Sequence, residues 1–384
     1  MTKPRCHVCA QAEIDPVEGY EPLSRVASDC APWPAGGRLG VCPSCGCVQK
    51  VIDDAWNSEV GKIYDSYSIY HQSQGGAEQS VFEASGHAVS RSTRLLECLR
   101  SHVRLPEAGR LLDVGCGNGA LLRVFSPLEP SWSLAGTELN DKYRAEVERI
   151  ERVEALFTCA PDQVPGGFDL ITMVHVIEHI PDPMQFLARL GDKLKAGGLL
   201  VIEIPDYLQN PFDLVIADHS THFTAATISA LLIKAGYEVA SVAGDWVPKE
   251  LTVVARKAEN RLENAHPAPA NSMDQAVNRV RWLRDVVTAA RRHSAAKSFG
   301  LFGTSIAAAW LFSELDGRVA FFADEDPSRV GRTYRGRPVY HPKDAPPGAH
   351  LFIPIPAPFG EALKARLKRL APQCEMSEPP GIPP

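Results

Sequence analysis

The chain has 384 residues, 45% hydrophobic and 22% charged, which is long for one core and ordinary for a soluble protein of two or three domains. Lys and Arg number 40 against 46 Asp and Glu, a formal charge of -6; no strongly basic domain emerges, so a nucleic-acid partner is not expected. No apolar run approaches the roughly 20 residues that span a bilayer, and the opening MTKPRCHVCA lacks the apolar stretch of a secretory signal. No membrane partner is expected, and the cytoplasm is the default location.

Residues 1–60 are rich in Cys and poor in helical periodicity. Cys6, Cys9, Cys30, Cys42, Cys45 and Cys47 all precede residue 50, and in a reducing compartment such a cluster reads as metal ligands before disulfides. Cys6-His7-Val8-Cys9 and Cys42-Pro43-Ser44-Cys45 are two C-x-x-C turns, each able to offer two thiolates to one tetrahedral zinc ion. Four thiolates leave no open position, so the predicted role of Cys6, Cys9, Cys42 and Cys45 is structural. His7 or Cys47 could replace a ligand, and Cys30 reads as a bystander.

Residues 61–258 are read as the next domain, in which strand-like and helix-like stretches alternate from 76 to 256. Predicted strands cover 109–115, 132–138, 168–174, 198–205, 237–243 and 250–256; helices are expected over 119–126, 140–150, 183–195 and 225–235. Alternation of this kind predicts a mostly parallel sheet covered on both faces, with one of the two closely spaced last strands antiparallel. In LLDVGCGNGALL the first strand ends at Asp113, and Gly115, Gly117 and Gly119 permit a tight turn and close approach of the backbone to a ligand. Glu138 ends the next strand in AGTELN, where a carboxylate can accept two ribose hydroxyls. The polar stretch 257–272 reads as a linker. Beyond it, Val277, Val280, Leu283, Val287 and Ala290 recur at helical spacing, and a second strand–helix block fills 273–371. Its LFGTS turn has too few glycines for a dinucleotide loop. Residues 372–384 are Pro-rich and expected to be disordered.

The D-x-G-x-G-x-G spacing with the acid on the second strand resembles the class I methyltransferases, α/β proteins of Rossmann-like fold that bind S-adenosylmethionine. FDLITMVHVIEHIPDPMQFL and LKAGGLLVIEIP are similar to that family's fourth strand with its following loop and its turn into strand five. An NAD-type Rossmann domain would show G-x-G-x-x-G and explains none of the later motifs. The resemblance implies cofactor contacts from Asp113, Gly115, Cys116, Gly117, Gly119, Glu138 and His175.

GVCPSCGCVQ, IYDSYSIYHQS and FFADEDPSRVGRTYRGRPVYHP resemble a narrower group: three-part methyltransferases with a zinc segment, a central cofactor domain and a C-terminal Rossmann-like domain. These methylate carbon beside a 4-keto group in nucleotide-linked deoxysugars, so a nucleotide sugar is the implied small-molecule partner. A sugar carbon becomes a nucleophile only after losing a proton, which requires a base. ADHSTHFT resembles the group's E-H-x-x-Y-F segment, which implies His219 as base with Asp218 in place of the usual Glu, raising the His219 pKa and orienting the ring. The resemblance also implies a site Tyr from the aromatic segment, Tyr70 or Tyr67. The alternative is O- or N-methylation of another small polar metabolite. The clasp itself is expected to order the aromatic segment over the cofactor domain.

Overall fold

A computed structural model describes residues 4–67, 78, 80–82, 88–258, 271–296, 298–357 and 359–383. At its centre is a seven-stranded sheet of β1 (Gly109–Val114), β2 (Trp132–Thr137), β3 (Val153–Phe157), β4 (Phe168–Val174), β5 (Leu194–Pro205), β6 (Tyr237–Ala243) and β7 (Glu250–Lys257). The order is β3-β2-β1-β4-β5-β7-β6. All neighbours are parallel except β7, which runs antiparallel to both β5 and β6. The expected antiparallel strand is therefore β7. Strand β3 was not predicted: VEALF is a five-residue edge strand in which only Leu156 is buried, too short a signal to stand out. The helix expected over 140–150 shrinks to Arg144–Val147.

The chain reverses direction across the sheet at β1, so the crevice above β1 and β4 lies at the carboxyl ends of the parallel strands. This switch point is where open α/β sheets build ligand sites. Asp113, Glu138, His175 and Glu203 all lie at those ends.

The N-terminal segment makes its own small antiparallel sheet, from Asp15–Pro16, Leu39–Val41 and Val48–Lys50. Its fourth strand comes from far along the chain: Thr221–His222 pairs with Gln49 and Val48. Helix Asp54–Ser66 follows, capped by Asp53, whose carboxylate accepts the Trp56 N–H at 2.9 Å. Trp56 then donates its indole N–H to Ala217 O at 3.1 Å. Both the clasp and the helix thus hold the 217–222 loop.

The C-terminal sheet takes the order Thr333–Tyr334, Arg337–Tyr340, Phe321–Ala323, Phe299–Phe302, His350–Phe352, Glu375–Ser377. Its last strand corrects the expectation of a disordered tail. Glu375–Ser377 pairs in parallel with His350–Phe352, and the segment beyond accepts hydrogen bonds from Trp282 to Pro380 O and from Arg279 to Pro383 O. Proline density masks this segment in sequence because Pro cannot donate, but its carbonyls accept normally.

The N-terminal segment, the 207–216 excursion after β5 and the C-terminal domain share one hydrophobic core. Phe212 sits between Trp282 and Trp310, ring centroids 5.3 and 5.7 Å away, both edge-on. Tyr20 donates to Leu214 O at 2.7 Å. The 3-10 turn Pro211–Val215 is thereby fixed by both flanking domains.

Candidate active site

The four predicted zinc ligands come together. Sγ atoms of Cys6 and Cys45 are 3.7 Å apart, those of Cys9 and Cys42 3.6 Å, and all four lie within 4.8 Å of one another. A tetrahedron with Zn–S of 2.3 Å has S···S edges of about 3.8 Å, so the donor set fits zinc in size as well as in kind. The two turns match in backbone: Ala10 N–H donates to Cys6 O and Gly46 N–H to Cys42 O, and Ala10 and Gly46 both take positive φ. Gln49, fully buried, donates to Cys6 Sγ at 3.0 Å and accepts the His7 N–H at 3.0 Å. His7 is not a ligand; its ring hydrogen-bonds Thr221 Oγ1 at 2.7 Å. Cys47 is buried outside the four.

Above β1, Gly115, Gly117 and Gly119 all adopt left-handed φ, 69°, 56° and 81°. A Cβ on Gly115 would lie 2.6 Å from Val176 Cγ2, so the turn tolerates only glycine there. Gly117 N–H donates to Glu138 Oε1 at 2.6 Å, closing the loop onto the second-strand acid. Glu138 Oε2 accepts from Leu139 N–H, and each oxygen keeps a lone pair for a ligand. Leu139 is 77% exposed, the single large hydrophobic so exposed among the described residues; it sets an apolar surface beside the acid. Asp113 is buried and accepts the Thr172 hydroxyl at 2.7 Å. Cys116 turns its thiol inward against Gly136, so only its backbone faces the crevice.

On the far side of β4, histidines and carboxylates gather from four segments. The buried His219 donates Nδ1–H to Asp213 Oδ1 at 2.6 Å. The other oxygen of Asp213 takes Nδ1–H of His222, also at 2.6 Å. His179 packs edge-on against His219, centroids 4.5 Å apart. Its Nδ1 lies 3.1 Å from Asp218 O and 3.3 Å from Tyr64 Oη. Asp218 does not orient His219 as expected, although its charge adds to the rise in the His219 pKa. Its carboxylate accepts from Ser28 N–H at 2.8 Å and Ser28 Oγ at 2.5 Å and lies 3.4 Å from His179 Nδ1. Tyr67 packs edge-on against Tyr64, 5.9 Å between centroids; Tyr64 is the residue that reaches His179. Tyr70 lies outside the described residues. His175, strained at φ 54°, turns to Glu178 Oε1, 3.1 Å from its Nδ1, and contacts Arg91. Arg91 in turn lies 3.6 Å from Glu203 and 3.4 Å from Glu250.

A family model described as a methyltransferase domain matches residues 90–242, which contain the glycine turn, Glu138 and His219. The chain is an S-adenosylmethionine-dependent methyltransferase. Ubiquinone biosynthesis O-methyltransferase of Xanthomonas campestris pv. campestris is 29% identical over 177 residues, 44% of this chain and 69% of that protein. Trans-aconitate 2-methyltransferase of Variovorax paradoxus is 34% identical over 125 residues, 31% of this chain and 47% of that protein. Among solved structures, the mitomycin 7-O-methyltransferase MmcR matches at 19% identity and a TM-score of 0.38, covering 44% of this chain and 54% of that one. The sheet order is that of the class I methyltransferase fold, with Rossmann-like α/β domains on both sides of the linker.

The His and carboxylate cluster beyond β4 is buried and rich in ionisable groups. Burial pushes the Asp213 carboxyl up, but the His222 and His219 rings outweigh it and hold it below the usual carboxylate range. Burial opposes charge on His219, yet Asp213 wins and its pKa rises. His222 shares the same carboxylate but falls to about 4, burial first and the nearby Lys50 adding to it. The shared carboxylate therefore acts in opposite balance on the two rings, raising His219 while burial prevails at His222. Burial likewise drives His175 down to about 3 and Glu203 up to about 8.

Asp213, Glu178 and Arg91 escaped the sequence reading, and Tyr64, first of the tyrosines spaced three apart, was passed over for Tyr67 and Tyr70. Glu178 carried a signal, the H-x-x-E-H run from His175 to His179. Asp213 carried none: it sits in the apolar stretch NPFDLV. In the C-terminal domain, the turn after Phe299–Phe302 is filled from within. Thr304 donates to Asp324 at 3.0 Å, and Arg329 spans both Thr304 and Asp324. No helix among the described residues is long and apolar enough to cross a membrane.

Proposed function

We propose that this methyltransferase transfers its methyl group to a carbon beside a ketone in a nucleotide-linked deoxysugar, through an enolate. The observation that carries the reading is the buried His219, its Nδ1 fixed by Asp213, next to the crevice at the carboxyl end of β4. An acceptor with a free lone pair, such as an amine, has no need of such a group. A carbon acid does, because its C–H must be ionised before it can attack. His219 activates the acceptor for loss of that proton, Asp213 keeps its ring in one tautomer and orientation, and Tyr64 with His179 closes the site towards the aromatic helix. The S-adenosylmethionine supplies an electrophilic methyl. Asp113 and the Gly115–Gly119 turn hold its amino-acid end, Glu138 its ribose, and Leu139 covers the flat base. A zinc ion in the Cys6, Cys9, Cys42, Cys45 cluster staples a segment too small to build a core unaided.

A second reading, methylation of a hydroxyl, is favoured by the names of the relatives. It uses the same His219, since a hydroxyl also sheds a proton as it attacks. The two are separated by incubating the enzyme with S-adenosylmethionine and a panel of nucleotide keto-sugars in deuterated water. Carbon transfer gives a product one methyl heavier and solvent deuterium at the carbon beside the ketone, with or without cofactor. A methylated product with no exchange establishes the hydroxyl reading instead. His219→Asn should lower turnover by about 10²–10⁴-fold with S-adenosylmethionine affinity retained; full turnover in that variant ends the role of His219.

A further inference from the structure

Besides the thiolate clasp, two groups of metal-competent side chains occur among the described residues: Asp213 with His219 and His222, and Glu178 with His179 and His219. In the first the carboxylate is already spent, both its oxygens accepting from the two imidazoles, although His222 Nε2 has no partner among the described residues. In the second it is not. Glu178 is 1% exposed, and its Oε2 has no hydrogen-bond partner among the described residues. A buried carboxylate oxygen left bare is costly and demands an explanation.

The two histidines beside it have the same preparation. His219 has Nδ1 committed to Asp213, and His179 has Nδ1 against Asp218 O and 3.4 Å from Asp218 Oδ2. That leaves Nε2 on each ring as the nitrogen that no described hydrogen bond uses. One nitrogen from each ring and one Glu178 oxygen lie within 4.8 Å of one another. A histidine that ligates a metal almost always gives its other nitrogen to a carboxylate or a backbone carbonyl, which fixes the tautomer and aims the lone pair. Here that outer layer is complete: Asp213 behind His219, Asp218 behind His179, and His175 on the remaining oxygen of Glu178. Asp218, Asp213 and the Tyr64 contact thereby acquire a common purpose.

We infer that Glu178, His179 and His219 bind one divalent transition-metal ion through two imidazoles and a carboxylate, and that its open positions take an oxygen of the methyl acceptor. Two nitrogens and one carboxylate suit manganese, iron, cobalt or zinc better than magnesium or calcium, which prefer all-oxygen shells. The inference rests on the reading that this cluster faces the acceptor, and it specifies how His219 activates it. Coordination polarises a carbonyl or acidifies a hydroxyl, so the acceptor belongs to the class with an oxygen on or beside the methylated atom. A simple amine is outside it. The transfer stays redox-neutral: the acceptor's proton leaves to water, its electron pair forms the new bond to the methyl carbon, and the C–S pair remains on sulfur.

The test uses the full chain with zinc in the clasp, stripped of weaker ions by mild chelation, and titrates it with Mn2+ followed by electron paramagnetic resonance. One Mn2+ per chain should bind, and Glu178→Gln should weaken it by about tenfold or more. His179→Gln, on the other side of the ion, should do the same and guards against a folding defect in the first variant. Co2+ provides a second readout. In the clasp it gives intense thiolate charge-transfer bands, and at this site only weak d–d bands, lost in Glu178→Gln. The absence of Mn2+ or Co2+ binding outside the clasp up to millimolar concentration overturns the inference, as does unchanged affinity in both variants. S-adenosylmethionine binding, measured by calorimetry in every sample, separates this failure from that of the methyltransferase reading. Cofactor heat without a second ion removes only the metal.

Discussion

The two halves of the candidate site, one proposed to take the cofactor and the other the methyl acceptor, are built in opposite ways. The cofactor half is contiguous: Asp113, the glycine turn and Glu138 span 26 positions on adjacent strands β1 and β2, and each residue acts largely through its own backbone or its nearest neighbour. The acceptor half is assembled from Ser28, Tyr64, Glu178–His179 and 213–222, and is held by a clasp, a helix and a foreign core. Local order specifies the first half. Only the folded whole specifies the second. The cofactor half should therefore survive damage to the outer segments, and the acceptor half should not.

The harshest test of that contrast is Cys42→Ser. Zinc-binding free energy in small modules is of order 10 kcal/mol, and here the clasp sheet pairs directly with Thr221–His222. The variant should lose its clasp metal, measured by elemental analysis, and nearly all methyl transfer. S-adenosylmethionine affinity should stay within about threefold, because the glycine turn is closed by Glu138 and packed by Val176 rather than built on the clasp. Equal loss of cofactor binding would show that the two halves fold as one.

The same contrast explains what the sequence made visible. C-x-x-C pairs, a D-x-G-x-G-x-G turn and an acid at a strand end are short-range patterns, and the residues named from them fall where expected. The partner of His219 was sought at Asp218 because adjacency in sequence is easily mistaken for adjacency in space. Outside helices, neighbouring side chains point apart, so Asp218 faces Ser28 and His179 while the carboxylate that holds His219 arrives from a turn six residues earlier. Phe212 and Leu214 conceal that residue by making its segment look like plain core. The tail strand Glu375–Ser377 is three residues between prolines, below the length at which alternation shows. Strand β3 was lost for a related reason, since an edge strand needs only one apolar face.

A milder probe addresses the cofactor half alone. Burial lifts the Asp113 carboxyl to about 7, above its unfolded value, so the folded chain holds this proton more tightly than the unfolded one. Its stabilising contribution is complete below about pH 4 and is lost as pH rises through 7. A shift of three units caps the effect at roughly 4 kcal/mol. Thermal unfolding of the cofactor-free protein should therefore drop between pH 5 and 8, and Asp113→Asn should flatten that slope. If the slope is the same in both proteins, Asp113 is charged throughout and its burial is compensated by something other than a proton.

The smallest expected effect lies where the clasp and the acceptor loop meet. Among the described residues, the Gln49 side chain bonds two residues of the first C-x-x-C turn, Cys6 Sγ and His7 N–H, while its backbone pairs with Thr221. Gln49→Met preserves length and apolar packing but leaves the His7 amide and one thiolate without their partner, a cost of about 1–3 kcal/mol. Zinc should leave the clasp faster, followed by chelator competition, and turnover should fall modestly with cofactor affinity unchanged. A clasp that served only as a remote staple would lose zinc faster without any change in turnover. A fall in both, in proportion, is what a clasp that carries the Thr221–His222 strand requires, since any loosening of Val48–Lys50 is passed to the loop on which His219 sits.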